Sequence, residues 1–323
     1  MKKITNVNAA TLDEAVAALG AGTAVIAGGT DIYNALKSMI YANPPAKLVN
    51  IKKIPGLDYI KEEGGMLKIG ALTTLTEIAD SSIVQAKWPS LAAAAKAVGT
   101  PQLRNMGTIA GNIAQQLRCW YYRAEHNEFN CLRKGGQLCY MVAGNSLRHS
   151  ALFPAGGCVT ASCSDTAIPL TALGATVVTT KKSIAMKDFY TPLGNVLDNN
   201  EVIKEIQVPT PAAGTKQSFV RWAERKALDF AESSVATLLT ISGGNVTDAV
   251  IVLGAVSPVP VRATSTEALI KGKAMTDTLA AQAGDEAVKT AQILAGNTGY
   301  TNNMGNKWKV QIAKTMVKRA LLA

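Results

Sequence analysis

Short apolar runs, broken by glycine, proline and charged residues, make up most of the first two thirds of the chain. Residues 24–27 (AVIA) form one such run, two glycines follow it, and Asp31 opens a stretch with helical spacing of apolar residues. This order predicts a strand, a glycine turn and a helix. The same reasoning predicts further strands at 49–51, 66–69 and 175–179, and helices at 11–19 and 90–98. We therefore expect an α+β fold without a regular βαβ repeat.

The pattern changes after residues 210–216 (TPAAGTK), which are poor in large apolar side chains and rich in turn formers. We therefore expect two domains, spanning residues 1–212 and 213–323. In the second domain, residues 235–241 and 246–256 are predicted to be two long strands. The Ser-Gly-Gly-Asn sequence between them is typical of a β-hairpin turn.

The chain ends in a stretch, residues 307–322, that is predicted to be an amphipathic helix. Apolar residues recur there at successive i, i+4 positions, namely Trp308, Ile312, Met316 and Ala320. A helix packed on a core with one solvated face accounts for this pattern. A helix that docks on a membrane surface or on a partner is the alternative.

Composition narrows the class of protein. With 323 residues, 48% of them apolar, and a mean hydropathy of +0.12, the chain suits about two ordinary domains. It contains no apolar run of about 18 residues, so we expect no membrane span. Lysine and arginine exceed acidic residues by 33 to 23, a net charge of +10. These charges are spread along the chain without a recognition motif, so we expect no nucleic-acid partner.

The five cysteines lie close together in the sequence, as Cys119, Cys131, Cys139, Cys158 and Cys163. An odd number in a long chain without a visible export signal does not suit a disulfide framework, which favours a metal or redox role in a reducing compartment. No CxxC pair occurs, which excludes the bacterial ferredoxin and common zinc-ribbon spacings. The residues alone leave three interpretations open: an iron–sulfur cluster, zinc, or unligated thiols.

Two glycine-containing segments are suited to binding an anion. The first comprises Ala27, Gly28, Gly29, Thr30 and Asp31; the second comprises Thr108, Ile109, Ala110, Gly111 and Asn112. Glycine lets backbone N–H groups approach a phosphate closely, so two such turns are consistent with one extended diphosphate held from both sides. Neither segment has a GxGxxG or P-loop pattern, and each alone is consistent with a structural turn.

Other catalytic patterns are sparse. The chain has only two histidines, His126 and His149, and no GxSxG sequence. Ser164 and Asp165 precede an apolar run, where capping of a helix would explain them equally well. We therefore expect no acid–base or nucleophilic centre on this chain.

Together the segments carry a family resemblance, which extends over essentially the whole chain. Four sequences follow one another in the order found in that family: AGGTD at 27–31, TIAGN at 108–112, SDTAIPLTALGA at 164–175 and RKALDFA at 225–231. The chain resembles the medium, FAD-binding subunits of molybdenum hydroxylases, the group of xanthine dehydrogenase, aldehyde oxidoreductase and carbon monoxide dehydrogenase. The implied fold is a vanillyl-alcohol-oxidase-type (PCMH-type) FAD-binding domain followed by an α+β C-terminal domain of the carbon monoxide dehydrogenase flavoprotein type.

The resemblance also implies roles for individual residues. Both glycine segments would bind the diphosphate and ribityl region of FAD, Asp165 would lie beside the flavin, and Ser164 would be a weaker companion. An insert at about 118–160 resembles that of the beta subunit of 4-hydroxybenzoyl-CoA reductase and of certain bacterial aldehyde oxidoreductases, where it holds a 4Fe-4S cluster. The implied ligands are Cys119, Cys131, Cys139 and Cys158, which leaves Cys163 as a spare thiol.

The implied function is electron transfer between FAD, the 4Fe-4S cluster and the 2Fe-2S centres of a partner. The resemblance implies a large subunit with the molybdenum cofactor and a small subunit with two 2Fe-2S clusters, in a heterotrimer that can be doubled. NAD or ferredoxin would be the external carrier. We expect a cytoplasmic location, while export inside a complex remains open. Two alternatives are a self-contained FAD-dependent oxidoreductase and a zinc-stabilised binding module.

Overall fold

The structure is a computed structural model that describes residues 3–144, 149–294 and 305–323. Its strands, in chain order, are β1 Thr5–Asn8, β2 Thr23–Ile26, β3 Lys47–Asn50, β4 Ile60–Glu63, β5 Met66–Gly70, β6 Thr176–Thr179, β7 Ser183–Ala185, β8 Tyr190–Thr191, β9 Gly194–Asn195, β10 Ile203–Pro209, β11 Thr215–Trp222, β12 Ser233–Ser242, β13 Asn245–Gly254 and β14 Val261–Arg262. Its α-helices are α1 Leu12–Ala18, α2 Ile32–Lys37, α3 Leu75–Asp80, α4 Ser82–Lys87, α5 Pro89–Ala97, α6 Pro101–Arg104, α7 Ile109–Ala114, α8 Trp120–Arg123, α9 Tyr140–Ala143, α10 Ala167–Ala172, α11 Thr264–Ile270, α12 Asp277–Ala287 and α13 Lys307–Leu322.

The N-terminal part contains a small parallel sheet with strand order β1-β3-β2. Strand β2 leads through the first glycine segment into α2, as the sequence predicts. Helix α1 covers the sheet with Ala15, which is fully buried against Val49 of β3. The end of β2 therefore places the first glycine segment at the edge of this sheet.

A five-stranded sheet with order β4-β5-β10-β6-β7 forms the centre of the first domain, and its described neighbours pair antiparallel. Helices α3, α5, α7 and α10 contribute to the core on this sheet. Trp88 is completely buried there, and its indole nitrogen donates to the carbonyl oxygen of Pro209 at 2.8 Å. That bond ties the start of α5 to the end of the central strand.

The C-terminal part is an antiparallel sheet, β11-β12-β13-β14, covered by α11, α12 and α13. Gly243 and Gly244 both have positive φ, +56° and +81°, at the turn between β12 and β13. Positive φ at both central residues is the geometry of a type I′ hairpin, so the predicted turn is confirmed. Helix α13 buries Met316 and Ala320 in the core as predicted, whereas Trp308 and Ile312 are only half-buried and the rest of the buried face is formed by residues that include Ala313 and Val317.

The two parts pack against each other through α5, α10 and the C-terminal sheet. Gly254 of β13 allows this contact, because a Cβ atom there would lie 2.4 Å from Ile168 of α10. The mixed helix and strand content confirms the α+β class. Strand β10 was not predicted, although it pairs with both β5 and β6. Within the described ranges, no helix is both long and apolar enough to span a membrane.

Candidate functional site

The first glycine segment lies against Met106 and Gly107, the two residues that precede the second segment. A Cβ atom on Gly28 would lie only 1.8 Å from the carbonyl oxygen of Met106 and 3.3 Å from the Cα atom of Gly107. Only a glycine permits so close an approach between two backbones. Gly29 has a φ of +74°, which also favours glycine. The contact places residues distant in sequence on the two walls of one cavity.

This cavity has a volume of about 520 Å³, within the range of roughly 300–1,000 Å³ that is common for ligand sites. Eight residues of the two segments line it: Ala27, Gly28, Gly29, Thr30, Asp31, Thr108, Gly111 and Asn112. Further lining comes from residues that the sequence did not predict, including Tyr41, Leu103, Gln115, Gln116, Arg118 and Phe230. Of these residues, only Phe230 lies in a segment that the sequence analysis singled out, RKALDFA at 225–231.

The backbone N–H groups of the two segments are used differently. In the second segment, Ile109 donates to Thr73 O at 2.9 Å and Ala110 donates to Ala71 O at 3.3 Å. Ile109 is fully buried in the core, and Ala110 packs against that core. These two predicted residues therefore support the cavity from behind. The Gly111 N–H donates to the Thr108 hydroxyl at 3.2 Å, which caps α7.

Asn112 connects the second glycine segment to the start of α10. Its side-chain oxygen accepts hydrogen bonds from the hydroxyl groups of Ser164 and Thr166, both at 2.7 Å. The Ser164 oxygen also accepts from the backbone N–H of Ala167 at 3.3 Å, although the residue at the N-cap of α10 is Thr166, which makes no side-chain capping hydrogen bond. Ser164 lines a separate, smaller cavity beside Cys163. It therefore orients Asn112 from outside the large cavity.

Asp165 is buried between the N-terminal part of the chain and the C-terminal sheet. Its carboxylate lies 3.6 Å from the Nε atom of Arg221 on β11. Burial raises the pKa of Asp165 to about 6, and the Arg221 guanidinium opposes that shift. Asp165 is not among the residues that line the large cavity. Its clearest contact in the described residues is thus an ion pair that joins these two parts.

Four cysteines surround a second, small cavity. Cys119, Cys131, Cys139 and Cys158 all line it, together with Arg133 and Tyr140. The fifth, Cys163, lies elsewhere, where its thiol is 3.4 Å from the carbonyl oxygen of Gln116. All five are free thiols. The fold therefore brings the four predicted ligands around one cavity that Cys163 does not line, although Cys163 and Cys119 both line a neighbouring cavity.

The segment between these cysteines consists of short turns that pack on the N-terminal part of the chain. Cys131 and Tyr122 share an apolar cluster with Ile40, which follows α2. The ammonium group of Lys134 donates to the carbonyl oxygen of Ile40 at 2.9 Å. Burial raises the pKa of Cys119 to about 11, so this thiol stays protonated at neutral pH unless a cation stabilises its thiolate.

Asp31 links the glycine cavity, which it lines, to the segment that contains Cys119. Its carboxylate oxygen Oδ1 accepts from Arg123 at 2.7 Å and lies 3.0 Å from Nη2 of Arg118. Its other oxygen, Oδ2, accepts from the backbone N–H of Gln116 at 2.9 Å. Arg118 lines the large cavity and stacks over the ring of Phe230, with 4.9 Å between the guanidinium carbon and the ring centre.

Comparison with known protein families assigns both parts of the chain. Residues 2–211 match the family described as the FAD binding domain in molybdopterin dehydrogenase. Residues 218–323 match the carbon monoxide dehydrogenase flavoprotein C-terminal domain.

Individual relatives agree with this assignment. The carbon monoxide dehydrogenase medium chain of Hydrogenophaga pseudoflava is 31% identical over 319 residues, covering 97% of this chain and 94% of that protein. An aldehyde oxidoreductase FAD-binding subunit of Escherichia coli (strain K12) is 32% identical, covering 84% and 87%. The solved structure of the Hydrogenophaga pseudoflava carbon monoxide dehydrogenase superimposes with a TM-score of 0.77 at 29% identity, covering 100% of this chain and 97% of that one. The chain therefore belongs to the FAD-binding medium subunits of the molybdenum hydroxylase family, and it is an oxidoreductase subunit that binds FAD.

Proposed function

We propose that the chain transfers electrons between FAD and iron–sulfur centres within a molybdenum hydroxylase complex. The observation that carries this proposal is the cavity between the two glycine segments, in a chain whose family binds FAD. When bound, FAD exchanges electron pairs with one partner and single electrons with iron–sulfur centres. The chain's own residues set where this cofactor lies and what surrounds it.

The first glycine segment is the better candidate for the diphosphate. Gly28, Gly29 and Thr30 line the cavity, and none of their backbone N–H groups donates to another backbone group within the described residues. Such free N–H groups bind phosphate oxygens. Gly111 and Asn112 would contact the ribityl region from the opposite wall. Asn112 is suited to this because Ser164 and Thr166 hold its side chain in one orientation.

We further propose that Cys119, Cys131, Cys139 and Cys158 bind a 4Fe-4S cluster. Four thiols around one cavity match the number and chemistry of ligands that such a cluster needs. The free space between them is about 20 Å³, so the thiol side chains must rotate outward to admit the cluster. Arg133 lines the same cavity, and its positive charge would stabilise the thiolates.

Zinc is less consistent with this arrangement. Within the described residues, no three histidine, cysteine, aspartate or glutamate side chains are placed to hold a metal ion, so the four thiols would have to move to bind either zinc or a cluster. A zinc site requires its ligands to converge on one point at about 2.3 Å, whereas cluster ligands are spread around a larger body. A zinc-stabilised module would also leave the glycine cavity and both family matches without explanation.

A self-contained FAD oxidoreductase would need a substrate site with an acid–base group. His126 does not line the glycine cavity, and His149 lines a neighbouring cavity of about 520 Å³, where its ring nitrogen Nδ1 is 2.5 Å from Glu232. The family match over the whole chain, rather than a lack of such groups, supports our proposal that substrate chemistry takes place on a large subunit with the molybdenum cofactor. A small subunit with 2Fe-2S clusters would connect it to this chain, and NAD or ferredoxin would be the external carrier. Five free thiols favour a reducing compartment such as the cytoplasm.

The first experiment is anaerobic purification of the complex, followed by measurement of FAD, iron, acid-labile sulfide and zinc. We expect one FAD and an additional four irons on this chain, about the content of one 4Fe-4S cluster. FAD without iron on this chain after reconstitution would refute the cluster while leaving the flavin function. Absence of FAD would refute the proposed function.

A pair of cysteine variants tests the ligand set. Cys131→Ser should lose the iron of this chain and keep FAD, because the two cavities are separate. Cys163→Ser is the matched control and should keep both, since Cys163 does not line the cysteine cavity. Gly111→Leu should have the opposite effect and lose FAD while keeping iron. Iron retained in Cys131→Ser would refute the assignment of that ligand.

A further inference from the structure

The family resemblance implies that Asp31 contacts FAD, but in the structure both of its carboxylate oxygens already have partners. It precedes α2 and makes no side-chain capping hydrogen bond. Both carboxylate oxygens are directed to residues 116–123, the segment that contains Cys119. The side chain is 19% exposed, so these contacts are largely shielded from water.

The contacts of Asp31 fix both ends of that segment. At its start, the backbone N–H of Gln116 donates to Asp31. At its end, Arg123 donates to Asp31 and also to the carbonyl oxygens of Leu117 and Gln116, both at 2.8 Å. Cys119 lies between these ends as the residue that precedes α8. One carboxylate thus closes residues 116–123 into a compact unit.

Asp31 also lines the glycine cavity, in which we propose that FAD binds, next to Gly29 and Thr30. Two arginines face it, Arg118 and Arg123, with side chains that are 28% and 16% exposed. Charge-assisted hydrogen bonds in such a partly buried place are stronger than neutral ones. Removal of the carboxylate would leave two partly buried positive charges without their anion.

We propose that Asp31 is a positioning residue that holds the Cys119 segment against the flavin cavity rather than a ligand of FAD. Its consequence for electron transfer rests on the proposed function, because it keeps the flavin and the cluster at a constant separation. The contacts of Asp31 with residues 116–123 do not depend on the cluster. The positioning role and its effect on electron transfer can therefore be tested separately.

The test compares wild type with Asp31→Asn, Arg123→Gln and the control Asp198→Asn in the purified complex. Asp198 forms an exposed ion pair with Lys181 at 3.0 Å and has no contact with this network. Three quantities are measured: FAD content, hydrogen exchange of peptides covering residues 116–123, and the EPR signal of the reduced cluster.

We expect Asp31→Asn to retain FAD while exchange in residues 116–123 rises about tenfold, as expected for the loss of charge-assisted hydrogen bonds. Its EPR signal should broaden or shift, because Cys119 no longer has one orientation. Arg123→Gln leaves the glycine turn unchanged and should reproduce both effects. The double variant should raise exchange by less than the sum of the two single effects, since the Asp31–Arg123 hydrogen bond is lost in both single variants. Asp198→Asn should match wild type.

Loss of FAD in Asp31→Asn with unchanged exchange would overturn the proposal and make Asp31 a flavin ligand. Unchanged exchange and EPR in both Asp31→Asn and Arg123→Gln would overturn it as well. If Asp31→Asn does not fold, the proposal is tested with Arg123→Gln and Asp31→Glu instead. Residues 116–123 should then exchange more slowly in Asp31→Glu than in Arg123→Gln. If wild type contains FAD but no cluster, the cluster assignment is wrong. The exchange measurement still tests whether Asp31 holds residues 116–123 in place.

Discussion

Substitution of Gly28 by alanine tests how the two halves of the flavin cavity are held together. The added Cβ atom would lie 1.8 Å from the Met106 carbonyl oxygen, whereas ordinary contacts begin near 3.4 Å. Either backbone must therefore move by about 1.5 Å, and overpacking of this kind costs about 1–3 kcal/mol or more. The Met106 carbonyl cannot rotate away freely, because the next residue, Gly107, donates to Leu103 O at 2.7 Å and accepts from Leu75 N–H at 2.9 Å.

We expect Gly28→Ala to lower the free energy of unfolding by about 2 kcal/mol and to weaken FAD binding at least tenfold. Urea unfolding of the FAD-free protein measures the first, and FAD titration followed by flavin fluorescence measures the second. Gly20→Ala is the matched control, since a Cβ atom there meets nothing within 4 Å. It should be neutral or slightly stabilising. Wild-type stability and FAD affinity in Gly28→Ala would refute the argument that this close approach shapes the cavity.

Three further predictions concern the surrounding structure. Burial raises the pKa of Asp165 from 3.8 to about 6, so the folded chain holds this proton more tightly than the unfolded chain, and stability falls as pH rises from about 4 to 6. The free energy of unfolding should fall by roughly 3 kcal/mol over this range, and Asp165→Asn should remove the fall. Urea unfolding at several pH values measures this, and a pH profile unchanged by the substitution would contradict it. Thr108→Ala should destabilise the protein by about 1 kcal/mol through loss of the α7 cap, with wild-type stability as the contradicting result. Trp88→Phe should cost roughly 2 kcal/mol in the same assay, because it leaves the Pro209 carbonyl without its donor and a cavity in the core; a cost near zero would contradict this.

Much of the secondary structure follows from local pattern. The strand, glycine turn and helix around residues 24–37 lie where the apolar run, the two glycines and the helical spacing predict them. The hairpin between β12 and β13 is predicted because Gly243 and Gly244 adopt positive φ without steric cost. Both cases depend on interactions between residues close in sequence, which is why the sequence alone suffices.

Strand β10 shows where local pattern fails. Its sequence IKEIQVP carries charged residues, and Ile206 and Val208 are nonetheless completely buried. The strand lies at the centre of the sheet because β5 and β6 pair with it from both sides. Those partners come from distant parts of the chain, so the sequence of β10 contains no indication of its central place.

The sequence by itself determined which chemistry is available: glycine segments that can admit a diphosphate, and thiols that can bind a metal cluster. Tertiary structure decided how these groups are used. It packed Gly28 against Met106, left Cys163 out of the cavity that the other four cysteines line, and directed the Asp31 carboxylate to residues on both sides of Cys119. The reason is physical. The reactivity of a side chain is a property of that residue, whereas its partners and its burial depend on which distant segments pack beside it.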